Sequence, residues 1–380
     1  MHIVMTNPFV WPHVRRGSER VLHDLSSYLN SRGHRVTVVA MAPEDAREER
    51  DGVAYHLLRE RFASPLRQFN SCHYFALRLQ SEIGKLEPDV VFGLNYFDAY
   101  AALKARERAA RRFGVAFLAV GIPVRRYFRA VPLDAFFIRK VLAQVDLRAV
   151  LSTFARDALR DEFGQEGQVL PPPVRVDDFA RACVRPDLPG GEPRILFVGD
   201  VNEPRKGARS LCEAFARVRQ VHAHATLLFS GNVSAATRAA LMGLPELRAM
   251  GPDAVQFLGV GSVEDLPSLY QSASVTVLPA VWEAFGLVLV ESLAAGTPVV
   301  GARHGGIPDI VDSDTVGRLF DPAPFREQTG NVAGLAQAIL DVLAAGKTPA
   351  ISQACRRRAD AFSWSALGPR YEQAIAGLAP

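Results

Sequence analysis

The sequence predicts an α/β protein built from two doubly wound, parallel-sheet domains that face a common cleft. Its 380 residues, 48% hydrophobic and 22% charged, exceed the size at which one hydrophobic core usually keeps growing. Short apolar runs alternate with amphipathic stretches along the chain, the pattern of parallel strands covered by helices. The alternation breaks at 184–193, where Pro186, Pro189, Gly190, Gly191 and Pro193 resist regular structure. This linker separates an N-terminal domain over residues 1–185 from a C-terminal domain over 194–362.

In the first domain the expected strands are Ile3–Thr6, Val36–Ala40, Val53–Leu58, Val90–Leu94, Val115–Val120 and Ala149–Thr153. The first helix, from about Ser18 to Ser31, stops before Gly33, a residue that readily takes the left-handed cap conformation. In the second domain strands are expected at Ile195–Val198, Thr226–Ser230, Val255–Leu258, Val275–Leu278 and Pro298–Gly301, each followed by a helical pattern. Ligands of such sheets bind at the carboxyl ends of the strands.

Composition excludes several classes. Met1–Met5 has neither a basic leader nor a cleavable apolar run, so a cytoplasmic location is expected. The longest apolar stretch, Ala284–Ala302, contains Glu291, Gly296 and Pro298 and is not read as a membrane span. Cys72, Cys183, Cys212 and Cys355 lie far apart, and no metal-ligand spacing or disulfide framework is suggested. The net charge of +4 conceals an asymmetry: residues 1–187 carry 28 Lys+Arg against 22 Asp+Glu, and the remainder 16 against 18. The basic half is either a solvated face or an attraction for an anionic acceptor or membrane surface. No Walker loop, Gly-x-Gly-x-x-Gly, nucleophile elbow or paired metal-binding histidines occurs, so NTPase, oxidoreductase and nucleic-acid-binding readings have no support.

The most informative stretch is Leu278–Pro298. A strand ends at Pro279, a loop carries Glu283, and a helix from about Phe285 runs until Gly296 and Pro298 forbid its continuation. Glu291 falls inside this helix among Leu287, Val288, Leu289, Val290, Leu293, Ala294 and Ala295. A buried carboxylate needs partners, which a ribose diol supplies, or a structural ion pair. Glu283 precedes the helix N-terminus, whose free N–H groups and dipole favour a diphosphate; the other reading makes it a helix-entry residue. A second loop, Gly199–Gly207, delivers Arg205 and Lys206 to the start of a helix at Ala208. These two cations neutralise a diphosphate leaving group without metal, or form an exposed basic turn. Near the N-terminus, Gly17 precedes a helix, and Arg15, Arg16 and His13 add charge to its loop.

On these residues the sequence resembles the retaining glycosyltransferases of family 4, with the GT-B fold of two Rossmann-like domains, over nearly the whole chain. The Glu-x7-Glu pattern fits Glu283 and Glu291, in a context that includes Phe285-Gly286, Ala295–Val300 and Gly305-Gly306-Ile307-Pro308. Supporting matches are Arg32–Val39, Val169–Val174 before Asp177-Asp178-Phe179, Arg205-Lys206-Gly207 and Phe362-Ser363-Trp364.

The resemblance implies transfer of a hexosyl-type sugar, with retention, from a nucleoside-diphosphate sugar to a hydroxyl-bearing acceptor such as a glycan, lipid or secondary metabolite. The nucleotide sugar is then a co-substrate, and no cofactor is implied. Glu283, Lys206 and Arg205 would act at the reacting centre. The donor would be held by Gly17, Arg16, Gly199, Leu258, Ala284, Phe285, Gly286, Leu287 and Glu291. Arg125, Arg126 and Asn95 would meet the acceptor, the first two from Pro123–Arg129, which reads equally as a basic turn. The last helix, 365–378, would return to the N-terminal domain. Three departures from the family pattern stand out: Arg16-Gly17 in place of Gly-Gly, Asp200 in place of an arginine, and no histidine at Leu118–Pro123. They leave open a degenerate protein that binds nucleotide sugar without transfer, and a GT-B epimerase.

Overall fold

The structure, a computed structural model, describes all residues except 12, 15–16, 61–70, 129–130, 182–190, 249, 263, 324–329 and 380. The chain divides into two compact units, Met1–Pro173 with Trp364–Pro380, and Val174–Ser363. The first contains an eight-stranded sheet: β1 (His2–Thr6), β2 (Arg35–Ala42), β3 (Ala46–Arg50), β4 (Val53–Arg59), β5 (Val90–Gly93), β6 (Gly114–Ala119), β7 (Leu147–Val150) and β8 (Gln168–Val169). Their order is β3-β4-β2-β1-β5-β6-β7-β8. All pairings are parallel except β3 with β4. β3 was not expected, because Ala46-Arg47-Glu48-Glu49-Arg50 has no apolar alternation and lies exposed at the sheet edge, where charge suits a strand with one open side. Thr153, expected to end a strand, instead opens a helix, because the Ser152 hydroxyl accepts the Ala155 N–H and caps it.

The second unit holds β9 (Arg194–Val198), β10 (Thr226–Ser230), β11 (Val255–Gly259), β12 (Val275–Leu278), β13 (Val299–Ala302) and β14 (Gly317–Phe320). Their order is β11-β10-β9-β12-β13-β14, parallel throughout. Strand order therefore reverses between β9 and β12. In a doubly wound sheet the loops leaving two such strands diverge to opposite faces and open a crevice at their carboxyl ends.

The units meet the chain at points different from the sequence reading. Val174 donates its N–H to the Phe362 carbonyl at 2.8 Å, and Gln271 donates to the Phe179 carbonyl at 2.9 Å. Phe179 is buried against Tyr270, with ring centroids 5.8 Å apart. Residues from Val174 thus belong to the second unit, whereas the expected boundary lay in the 184–193 linker, most of which falls outside the described residues. The terminal helix Trp364–Ala376 belongs to the first unit. There Trp364 stacks on Tyr28 at 5.0 Å, and the buried Tyr371 donates its hydroxyl to the Leu170 carbonyl at 2.8 Å.

Candidate active site

Two loops leave the switch point of the second sheet and are tied to each other. After β9, the Gly199 N–H donates to the Ser230 carbonyl at 2.9 Å. The Asp200 carboxylate accepts the backbone and side-chain N–H of Asn202 at 2.9 and 2.8 Å. A single 3-10 turn, Pro204–Lys206, then presents the cations. Gly207 closes it at φ +77°, and a Cβ there would stand 2.7 Å from the Pro279 carbonyl, so only glycine lets this loop lie against the one leaving β12. Val281 donates its N–H to the Arg205 carbonyl at 2.9 Å. By these backbone contacts the basic turn is fixed beside the acidic loop.

The consequence is an ion-pair cluster that sequence reasoning did not foresee. Lys206 Nζ donates to Glu283 Oε2 at 2.5 Å, and Arg205 Nη1 stands 3.5 Å from the same oxygen. Arg205 also reaches Glu203 at 2.6 Å and the Trp282 carbonyl at 3.4 Å. The Glu283 and Lys206 side chains are only 14% and 17% exposed, so their attraction is less screened than that of a surface pair. Trp282 adopts φ +59°, a left-handed conformation that a bulky residue takes only when its surroundings impose it. Its N–H donates to His304 Nδ1 at 3.1 Å, and the two rings meet edge to face at 4.9 Å. Gly305, at φ +64°, lies so close that a Cβ would run into the Glu283 carbonyl oxygen; the Gly306 N–H donates to that oxygen at 2.9 Å. The Gly305-Gly306 pair is thus the floor beneath Glu283.

The helix after this loop spans Leu287–Ala294, two residues shorter at its start than expected. Gly286 precedes it at φ +110° without a side-chain cap, Phe285 is buried against Phe362 at 5.5 Å, and Ala284 and Leu287 remain half-buried. The leading N–H groups and the positive end of the helix therefore adjoin the Lys206–Glu283 pair. Glu291 is buried, and one oxygen accepts the Tyr270 hydroxyl at 2.8 Å. Tyr270 answers much of the need for a partner that the sequence raised. A buried tyrosine demands an acceptor, but nothing local names one 21 residues away. Beneath it Lys347 Nζ donates to Gln271 and Ala273 carbonyls at 2.6 and 3.1 Å and to the Thr297 hydroxyl at 2.6 Å. Burial pushes this amine down to about 8.

The remaining candidates are distributed over both units. Leu258 is the last residue but one of β11 and is 40% exposed, offering an apolar face on the second unit. Gly17 is the first residue of the helix Gly17–Ser31 in the first unit rather than the residue before it, and Arg16 lies outside the described residues. Asn95 caps the helix Tyr96–Arg108, accepting the Phe97 N–H at 3.0 Å. Arg125 and Arg126 are exposed, their guanidinium groups 5.9 Å from the Phe163 ring and 5.4 Å from the Tyr127 ring. Cys212 and Cys355 are buried free thiols and Cys72 is half-buried; Cys183 lies outside the described residues. Among the described residues no group of three His, Cys, Asp or Glu side chains is placed to hold a metal ion, and no helix is long and apolar enough to cross a membrane.

Two doubly wound domains, the second with a cationic turn and an acidic loop at its switch point, have the architecture of the GT-B proteins, and comparison with known proteins gives the family. Residues 15–178 match the family described as Glycosyltransferase Family 4, and residues 192–345 that described as Glycosyl transferases group 1. The chain belongs to the GT-B glycosyltransferases of this family 4 and group 1 type. It is 29% identical over 265 residues to MMP alpha-(1->4)-mannosyltransferase of Mycolicibacterium hassiacum, a match covering 67% of this chain and 60% of the relative. It thus spans less than two thirds of that relative's length. Among solved structures, sucrose-phosphate synthase from Thermosynechococcus elongatus superposes with a TM-score of 0.81 at 23% identity, covering 99% of each chain. HepE of Anabaena in complex with UDP-glucose gives 0.74 at 17%, covering 100% of each. At these identities the likeness to both structures concerns the fold.

Proposed function

We propose that this chain is a retaining, metal-independent glycosyltransferase that moves a hexosyl group from a nucleoside-diphosphate sugar to a hydroxyl-bearing acceptor. The observation that carries the reading is the contact of Lys206 with Glu283 at 2.5 Å, beside an uncapped helix start. One end of the pair suits the diphosphate and the other suits sugar hydroxyls. With Arg205 and the N–H groups around Leu287, Lys206 offsets the charge that builds on the leaving diphosphate. Glu283 accepts hydrogen bonds from the sugar and is held where positive charge develops at its anomeric carbon.

The reaction proceeds on one face of the ring. The bond from the anomeric carbon to phosphate oxygen breaks, and the acceptor oxygen bonds to that carbon from the same side. Its proton passes to the departing phosphate oxygen, so anomeric configuration is retained. Glu291 holds the ribose, while Gly199 and Leu258 on the same unit complete the donor contacts. Asn95, Arg125 and Arg126 serve the acceptor.

Turnover is favoured over mere binding because the Asp200 carboxylate is engaged by Asn202 within its own loop, so its charge is spent on shaping the turn. The HepE complex with UDP-glucose supports a nucleotide-sugar donor, and the mannosyltransferase relative supports a hexosyl group.

The test is a thermal-shift screen of nucleotide sugars, followed by analysis of the anomeric product. A true donor at a hundredfold over its Kd adds roughly 2.7 kcal/mol of stability. A screen in which no nucleotide sugar stabilises the protein, or a product of inverted configuration, overturns the proposal.

A further inference from the structure

Tyr270 and Glu291 sit on two short helices of the second unit, Leu266–Ser272 and Leu287–Ala294. Helices of fewer than about 12 residues are marginal on their own in water, so how the end of one stands against the end of the other is set by tertiary contacts. The first helix has Pro267 in its opening turn and stops at Ala273, whose N–H donates to the Tyr270 carbonyl at 3.1 Å. After the second, the chain turns at Gly296, φ +79°, into the fully buried Thr297.

Lys347 joins these two ends. It lies between the helices Val332–Ala345 and Pro349–Asp360. Its amine donates to the Gln271 carbonyl at 2.6 Å, the Ala273 carbonyl at 3.1 Å and the Thr297 hydroxyl at 2.6 Å. An ammonium has three N–H donors, and each has its acceptor here. The two carbonyls belong to the end of the Tyr270 helix, where a cation is a common cap. Capping does not account for the third bond, which reaches the turn after the Glu291 helix. From there the Thr297 hydroxyl donates to the Tyr270 carbonyl at 2.7 Å, and the Thr297 N–H donates to the carbonyl of Ser292, the neighbour of Glu291, at 2.9 Å. Tyr270, with no solvent exposure, then donates its hydroxyl to Glu291 at 2.8 Å.

We infer that Lys347 is a positioning residue for the nucleotide: by tying the end of the Tyr270 helix to the turn after the Glu291 helix, it holds the Tyr270 hydroxyl on Glu291 and so sets that carboxylate for the ribose diol. The inference rests on the assignment of Glu291 to the ribose proposed above. Lys347 acts through Thr297 and Tyr270 rather than on the substrate. Because the ribose is common to bound substrate and transition state, the effect falls on nucleotide affinity and KM while kcat stays nearly constant.

Calorimetric titration of the full chain with UDP, GDP and ADP selects the nucleotide bound most tightly, which is then compared with its 2′,3′-dideoxy counterpart, lacking the diol. The wild-type chain should prefer the ribonucleotide by about tenfold or more. Lys347→Met should weaken the ribonucleotide by about five- to tenfold and the dideoxynucleotide by less than about twofold. A general loosening of the unit would instead weaken both alike. Thr297→Val keeps the side-chain shape but removes the oxygen that links Lys347 to Tyr270, and should give the same selective loss at about threefold; it replaces Lys347→Met as the deciding variant if that one does not fold. Equal wild-type binding of the two probes, or no binding of UDP, GDP or ADP, overturns the ribose assignment and the inference with it. A wild-type preference for the diol that the deciding variant leaves intact, whether by binding both probes as wild type does or by weakening both equally, overturns the inference alone.

Discussion

Replacing Glu283 by glutamine removes one negative charge from a cluster in which Lys206 stands at 2.5 Å and Arg205 at 3.5 Å from the same oxygen. Breaking a fully buried pair costs roughly 3–5 kcal/mol. Here both partners keep some solvent contact, the amide oxygen still accepts a hydrogen bond, and Arg205 retains Glu203 at 2.6 Å. The expected loss of stability is therefore about 1–2 kcal/mol, a fall in Tm of about 2–8 °C for a domain of this size. Catalysis should suffer more. If Glu283 positions the sugar as the glycosidic bond stretches, kcat should drop by roughly ten- to a thousandfold. Nucleoside-diphosphate affinity should hold or improve by up to about tenfold, because Lys206 is then released from an intramolecular carboxylate and freed for phosphate. The assays are steady-state transfer with a verified donor and acceptor, and calorimetric titration of the nucleoside diphosphate. A kcat within about threefold of wild type, or a Kd raised tenfold or more, would refute the reasoning and make the cluster a structural clamp.

Tyr270→Phe withdraws the hydroxyl that Glu291 accepts at 2.8 Å, and loss of this buried hydrogen bond to a carboxylate should cost about 1–3 kcal/mol. Nucleotide affinity should weaken several-fold with kcat nearly constant, and unchanged titration curves would separate Glu291 from the nucleotide. Gly305→Ala drives a methyl group into the Glu283 carbonyl at a left-handed backbone position; a loss of more than about 2 kcal/mol in chemical denaturation is expected, and wild-type stability would contradict the proposed floor. Lys347 releases its proton in the folded chain at about 8 but in the unfolded chain near 10.5, so the unfolded state binds more protons between those values and folding gains stability as pH rises through 8. Measured from about pH 7 to 9, below the range where Cys355, pushed up to about 12 by burial, acts in the opposite sense, the stability gap between wild type and Lys347→Met should shift toward wild type. A gap independent of pH would show that the amine is not desolvated. Transfer activity should survive EDTA, because Lys206, Arg205 and the helix start already supply positive potential; loss of activity that magnesium or manganese restores would contradict this.

What the sequence by itself determined is the local part of this protein. Runs such as Ile3–Thr6 and Val275–Leu278 are strands because consecutive apolar residues shielded on both faces need no distant information to be recognised. The loops carrying Lys206 and Glu283 were legible from the residues that stop regular structure around them. Where the local signal fades, the reading missed elements: Ala46–Arg50 is charged, Gln168–Val169 spans two residues, and Gly317–Phe320 places arginine within a four-residue strand. Tertiary structure alone decided which side chains meet. Lys206 and Glu283 are 77 residues apart and Tyr270 and Glu291 are 21 apart, and their contacts follow from the adjacency of β9 and β12 and from how the helices pack on that sheet. Strand order depends on the burial of whole faces rather than on the pattern of any one segment, so an ion pair across the switch point exists only once the sheet has been assembled.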